Sequence, residues 1–277
     1  MAPLDVEKIS MEQPPENLQR IMREGILLAT GAVAILLQMA NPKIAQGVIE
    51  NSNFANRPAD RLRATMTYMY CMAFGTPEEK RVVVERIHRV HKRINGPGYT
   101  ADDAELQLWV AATLYVAGVD LYEKVFGELE SNVADEVYKE YAIMATSLRV
   151  PPHMWPESRQ AFWEYWEGQI QKLEIGAHAR SVAKDLIYNN KAPLWIRVNL
   201  PIVRLLTAEW LPAPISEAYG LKTSRERKQL YNVFMGLIRK VYPNLPVFIR
   251  EYALRYYLKD MRHRMRKERR VLEVKAR

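Results

Sequence analysis

The run GILLATGAVAILLQMA, residues 25–40, limits the fold more than any other stretch of the chain. It carries no charge and one amide, Gln38, and Asn41-Pro42 closes it with a residue that cannot continue a helix. A bilayer span needs roughly 20 apolar residues, so a shorter run is expected as a buried helix, here beginning near Gln19. A helix apolar on nearly every side needs amphipathic neighbours to cover it, which means a bundle.

The rest of the chain supplies those neighbours. No run alternates with period two for more than a few residues, and no internal repeat is present. Helical patterns are expected over 43–50, 59–74, 77–96, 132–148, 158–175, 177–188, 203–210, 224–242 and from 246 into the C-terminal tail. A further core helix runs through LQLWVAATLYVAGVDLYEKVFG, with Thr100 as its cap. The polar turn NSNFANRPAD and a connector over 191–201 separate the elements. The expected fold is all-α, one multi-helix domain over 19–260, after an N-terminal segment 1–18 and before a basic tail 261–277.

A net charge of +8 suggests a nucleic-acid partner until it is located. Residues 261–277 hold eight Lys/Arg against Glu268 and Glu273, so the tail carries +6 and the body +2. A basic tail with almost no aromatic residues reads as a solvated helix end, so no nucleic-acid partner is expected, and peripheral contact with an anionic membrane is the partner role left to it. Cys71 is the single cysteine, which rules out an internal disulfide or a Cys-based metal cluster and fits a reducing, intracellular location. The polar opening MAPLDVEKISMEQPPENLQR lacks the charged-then-apolar layout of a secretory signal, and a cytoplasmic or peripherally membrane-associated protein is expected.

The chemistry concentrates in 77–96, PEEKRVVVERIHRVHKRING, which places two histidines and six Lys/Arg on one helix. Thr76 as N-cap, Pro77 at N1 and Glu78 and Glu79 in the first turn start it, and Asn95-Gly96-Pro97-Gly98 ends it. Val84, Ile87, His91 and Ile94 recur at helical spacing, so His91 belongs to the apolar stripe while His88 lies nearer the charged flank. Over 59–74, Arg61, Thr65, Tyr68 and Met72 share a face. That face reads either as a surface arginine beside a backbone-bonded threonine or as the wall of a ligand site.

Familiar catalytic signatures are missing. The glycines form no GxGxxG or GxxxxGK[ST] loop, no serine sits in GxSxG, and Cys71 on an apolar helix reads as a small core residue. His88 and His91 form an HxxH pair with no local third ligand. A lone histidine on an apolar face is ordinarily a hydrogen-bonded core residue. In an all-α protein it has one further chemical use, axial ligation of haem iron, with arginines answering the propionates. Arg61, Arg63, Arg86 and Arg89 are the arginines near enough in sequence.

Four runs, GAVAILLQMANPKIAQGVIENSNF, RPADRLRATMTYMYCMAFGTPEE, RIHRVHKRINGPGYTADDAELQLWVAATL and LPAPISEAYGL, resemble in their order the rubber-oxygenase/MpaB-like family across 25–221. The resemblance implies an all-α fold with a globin-like helical core and a b-type haem. The family's Arg-x-x-x-Thr motif falls on Arg61 and Thr65, beside the haem pocket, and its axial histidine falls on His91; Arg86, near in sequence, is expected as a further cofactor contact. Glu50 falls in the segment where rubber oxygenases place a catalytic base, at a different spacing. Two departures stand out: Ala64 replaces the lysine beside the threonine, and Trp109-Val110-Ala111-Ala112 stands where many relatives read WVHA. The function so implied is a haem b oxidoreductase, oxygenase or dehydrogenase, that uses dioxygen on a small apolar or prenylated metabolite rather than on rubber. The alternative from another class is a non-catalytic helical protein that binds an apolar ligand or a membrane surface.

Overall fold

The computed structural model describes residues 14–51, 58–189, 194–221 and 223–275, and its architecture is all-α. Helices α1 (Glu16–Met22), α2 (Gly31–Met39), α3 (Pro42–Asn51), α4 (Pro58–Phe74) and α5 (Pro77–His91) lead into a two-stranded hairpin, β1 (Asn95–Gly96) and β2 (Tyr99–Thr100). Then come α6 (Ala104–Phe126), α7 (Ser131–Thr146), α8 (Arg159–Ile170), α9 (Ala177–Ile187), α10 (Leu194–Arg197), α11 (Leu200–Trp210) and α12 (Ala213–Ala218). The chain closes with α13 (Arg225–Val241), α14 (Val247–Arg250) and α15 (Tyr252–Lys275). The expected turn over 52–57, the N-terminal residues 1–13 and the connector residues 191–193 lie outside the described residues.

Helix α2 is the buried centre: Leu36, Leu37 and Met39 are almost fully covered. It packs on α6, where Trp109 donates its indole N–H to the Leu37 carbonyl at 3.1 Å and stacks on Trp166 of α8 at 5.1 Å. Tyr115, Tyr138, Trp155 and Phe162 form a second aromatic cluster in which Tyr115 meets the others edge-on.

The apolar run is not one helix. The helix expected from Gln19 is interrupted: α1 ends at Met22, a 3-10 turn occupies Gly25–Thr30 ahead of α2, and Glu16–Met22 meets Gly25–Met39 at a 71° bend. Two contacts explain the break. Glu24 turns inward to accept from Arg250 at 2.7 Å, and the Arg250 carbonyl stands where a side chain on Gly25 would be, 2.8 Å from an added Cβ. Among the described residues no single helix is long and apolar enough to cross a membrane.

α5 begins as its sequence demands. Thr76 and Glu79 form a reciprocal capping box, with Pro77 at the first helical position. The next cap departs from expectation: Asp103, not Thr100, caps α6, accepting from the backbone N–H of Glu105 and Leu106 at 2.9 and 3.2 Å. Thr100 is taken up by the hairpin, where Asn95 pairs with Thr100 and Gly96 with Tyr99. Gly98 has φ +82°, a conformation that suits glycine, so Pro97-Gly98 makes the turn. The basic tail is the outer end of α15, which packs on α4 and pairs with α5: Arg262 with Glu79 at 2.8 Å, Arg269 with Glu78 at 3.2 Å, and Glu268 with Arg86.

Candidate functional site

Between α3, α4, α5, the hairpin and α6 lies a cavity of about 360 Å³, within the range of small-molecule sites. From α4 it receives Arg61, Thr65 and Tyr68, from α5 Ile87, Val90 and His91, and from α6 Gln107, Val110 and Leu114. Tyr99 and Asn51 close one side. The α4 face and the α5 stripe therefore line the same space. A smaller chamber of about 80 Å³, walled largely by Leu, Ile and Met side chains, lies alongside and shares Gln38, Arg61, Thr65 and Leu114 with the first. Arg61 and Thr65 thus stand at the partition between two apolar spaces.

Burial pulls the His91 imidazole below its ordinary value of 6.5; Asp102 opposes this, while His88, Arg149 and Arg61 push the same way as burial. The ring is neutral near pH 7. Its Nδ1 stands 3.4 Å from Gln107 Nε2, which also donates to the Ala101 carbonyl at 2.7 Å. The other amide atom, Gln107 Oε1, is buried and has no hydrogen-bond partner. Burial also lowers the Arg61 guanidinium from its usual value, though an arginine stays charged.

Three hydrogen bonds hold the walls from behind. Tyr68 Oη donates to the Met144 carbonyl at 2.5 Å and meets Ser147 Oγ at 2.7 Å; burial raises its pKa strongly. His88 Nε2 lies 3.0 Å from the Ser147 carbonyl oxygen, so His88 braces α5 against the end of α7. At the rim the Tyr99 ring is held between two glycines. An added Cβ would stand 3.0 Å from the ring at Gly47 and 2.7 Å at Gly96. Tyr99 Oη donates to Glu50 at 2.6 Å and accepts from Asn51 Nδ2 at 2.7 Å.

Arg61, Thr65 and His91 come together; the other site residues read from sequence do not join them. Arg86 lies outside the cavity, paired with Glu268, and Arg63 pairs with Asp60 at 3.2 Å. Arg89 is exposed. Glu50 is exposed and outside the wall; its bonds from Tyr99 and then Gln46 hold its carboxyl below the usual range, which suits an anchor better than a base. Ala111 and Ala112, at the WVHA position, are buried in the core. Sequence reasoning passed over Gln107 and Tyr99. The signal for Gln107 was an amide inside the apolar face Leu106–Trp109; for Tyr99 it was an aromatic residue directly after a Gly-Pro-Gly turn.

The donor set fits one haem iron in its essentials: one neutral imidazole, apolar walls, one cation, and an orphaned acceptor on the amide beside the imidazole. Among the described residues no group of three or more His, Cys, Asp or Glu is placed to hold a metal ion.

Over residues 18–240 the chain matches the family described as ER-bound oxygenase mpaB/B'/rubber oxygenase, catalytic domain. It is 30% identical over 251 residues to an uncharacterized protein of Mycobacterium bovis and, equally, to one of Mycobacterium tuberculosis, covering 87% of this chain and 98% of each relative. No solved structure matches it.

Proposed function

The chain belongs to the ER-bound oxygenase mpaB/B'/rubber oxygenase catalytic-domain family, and on that premise we propose that it is a haem b-dependent oxidoreductase, oxygenase or dehydrogenase, that uses dioxygen on a small apolar or prenylated metabolite. The observation that carries this reading is the common cavity wall of Arg61, Thr65 and His91. In this reading the same residues that resemble the family's motif act in one apolar space.

His91 is the proposed iron ligand, since a neutral imidazole keeps a lone pair for a metal. When bound, haem b supplies the redox-active iron for dioxygen chemistry. The chain's own groups do the rest. Ile44, Val48, Ile87 and Val110 exclude water and favour an apolar substrate. Arg61 offers a fixed cation to a carboxylate, whether a propionate or the polar end of a substrate. Thr65, one helical turn along, offers a hydroxyl that both donates and accepts. Glu50 and Arg86 have no part in the proposed machinery, because neither reaches the wall.

The test is a visible spectrum of protein produced with haem precursor. A Soret band is expected, lost in His91→Gly and restored by added imidazole, while His178→Ala, an exposed position, leaves it unchanged. A folded, colourless wild-type protein, or a band that survives His91→Gly, overturns the reading. The first outcome would favour the non-catalytic ligand-binding alternative.

A further inference from the structure

Helix α13 covers the core with one side only. Tyr231, Phe234, Met235 and Ile238 face inward, whereas Leu230, Val233, Leu237 and Val241 stand 46–71% exposed. Their spacings of three, four and four put all four on one face. Immediately downstream, Phe248 is 65% exposed and Tyr252, 68% exposed, stacks on exposed Tyr256. Large apolar side chains gathered in solvent mark a surface that meets something.

The charge around these residues says what. Residues 225–259 hold eight Lys/Arg against Glu226 and Glu251, a formal +6, of which the Arg250 charge is answered by buried Glu24 at 2.7 Å. Glu251 is itself buried and paired with Arg23 and Arg255. The basic tail has the same formal charge and is engaged in part in the same way, Arg262, Arg264 and Arg269 pairing with Glu79, Asp260 and Glu78; what sets α13 apart is the exposed apolar stripe beside its cations. A second copy of the chain would set one basic face against another across the contact. An anionic lipid surface offers both complements, acyl chains for the apolar stripe and phosphates for its flanks, and tyrosines favour the headgroup level.

We propose that the outer face of α13, with the corner where α14 meets α15, docks on an anionic bilayer. The contact lies on α13 rather than on the basic tail, and family membership assigns no such face. The inference stands apart from the haem reading, since it involves neither the cavity nor His91.

The test is co-sedimentation of the full chain with phosphatidylcholine vesicles with and without phosphatidylglycerol, beside sedimentation velocity of the lipid-free protein. Binding is expected only with phosphatidylglycerol, weakening with salt. Val233→Glu/Leu237→Glu, at two exposed positions that leave the fold intact, should lower the partition coefficient by more than about tenfold. Lys267→Gln/Arg270→Gln, in the tail, should lower it far less. Binding lost through the tail variant but not the α13 variant overturns the proposal. So does a wild-type protein that ignores both vesicles, and so does a dimer that the α13 variant dissolves.

Discussion

Gln107 reaches His91 with its donor end. Its Nε2 lies 2.7 Å from the Ala101 carbonyl, an approach open only to an N–H, so the second amide hydrogen faces His91 Nδ1 at 3.4 Å. Nδ1 therefore accepts, and the proton of the neutral ring sits on Nε2. A metal bound through Nε2 needs the opposite tautomer, with Nδ1–H donating to an acceptor. That acceptor exists on the same amide as the partnerless Oε1. Turning the amide would pair Oε1 with the metal-bound ring only if the side chain also drew back from the Ala101 carbonyl, since a turn in place would set two acceptor oxygens 2.7 Å apart.

In the metal-free protein, nitrogen-15 NMR of labelled histidine should show His91 as the Nε2–H tautomer. Gln107→Leu should relax it to a mixture, a change of about 1 kcal/mol or roughly fivefold in population. Gln107→Glu should reverse it, because a carboxylate accepts from Nδ1–H. An identical His91 spectrum in all three proteins would refute this role for Gln107.

His91 should titrate below its ordinary 6.5. In the window between 6.5 and the lower folded midpoint the unfolded chain binds more protons than the folded one, so stability is full above about pH 6.5 and falls as acid carries the pH down through that midpoint. Urea unfolding at stepped pH should show the decline in wild type and a flatter profile in His91→Asn. Equal slopes would mean that burial leaves the ring unaffected.

Gly96→Ala should dislodge Tyr99, whose ring carbon and hydroxyl lie 2.7 Å from the new Cβ. Overpacking of this kind costs about 1–3 kcal/mol, and it should also break the Tyr99 bonds to Glu50 and Asn51. Tyr99→Phe loses those bonds alone and should cost only about 1 kcal/mol. Thermal unfolding checks the order; a Gly96→Ala protein as stable as wild type would contradict the close approach.

Glu24→Ala should destabilise the protein by about 3 kcal/mol, the low end for a broken buried pair, because Arg250 keeps the Phe126 ring 5.8 Å beneath its guanidinium. Burial raises the Glu24 carboxyl in spite of Arg250, so the ion pair is itself costly to maintain. Glu24→Ala/Arg250→Met should therefore recover part of the loss in urea unfolding.

The helix that carries His91 was legible because its signals are local. Thr76, Pro77 and Glu79 mark its start within four residues, and the apolar spacing assigns His91 a face. The break before Gly25 was not legible, since the arginine that draws Glu24 inward lies 226 residues away. The pairing of Arg86 was out of reach for the same reason: its partner Glu268 sits on a helix 182 residues later. Thr100 and Asp103 offer equivalent capping oxygens three residues apart, and the hairpin that claims Thr100 leaves only a two-residue strand pattern on each side. The all-α class survived these misses because it rests on periodicity summed over many segments, and the resemblance read across 25–221 rests on the order of four runs that fall inside the 18–240 matched to the family.

Ser147 is not itself a lining residue, yet its hydroxyl meets Tyr68, part of the wall on α4, and its carbonyl meets His88 on α5. α4 carries Arg61 and Thr65; α5 carries His91. One small residue behind the chamber therefore gauges the gap between its polar wall and its imidazole, as a pivot sets the opening of a pair of compasses. Mutations at that pivot would change which molecules fit without contacting any of them, so selectivity here can drift through a position that no survey of ligand contacts would single out.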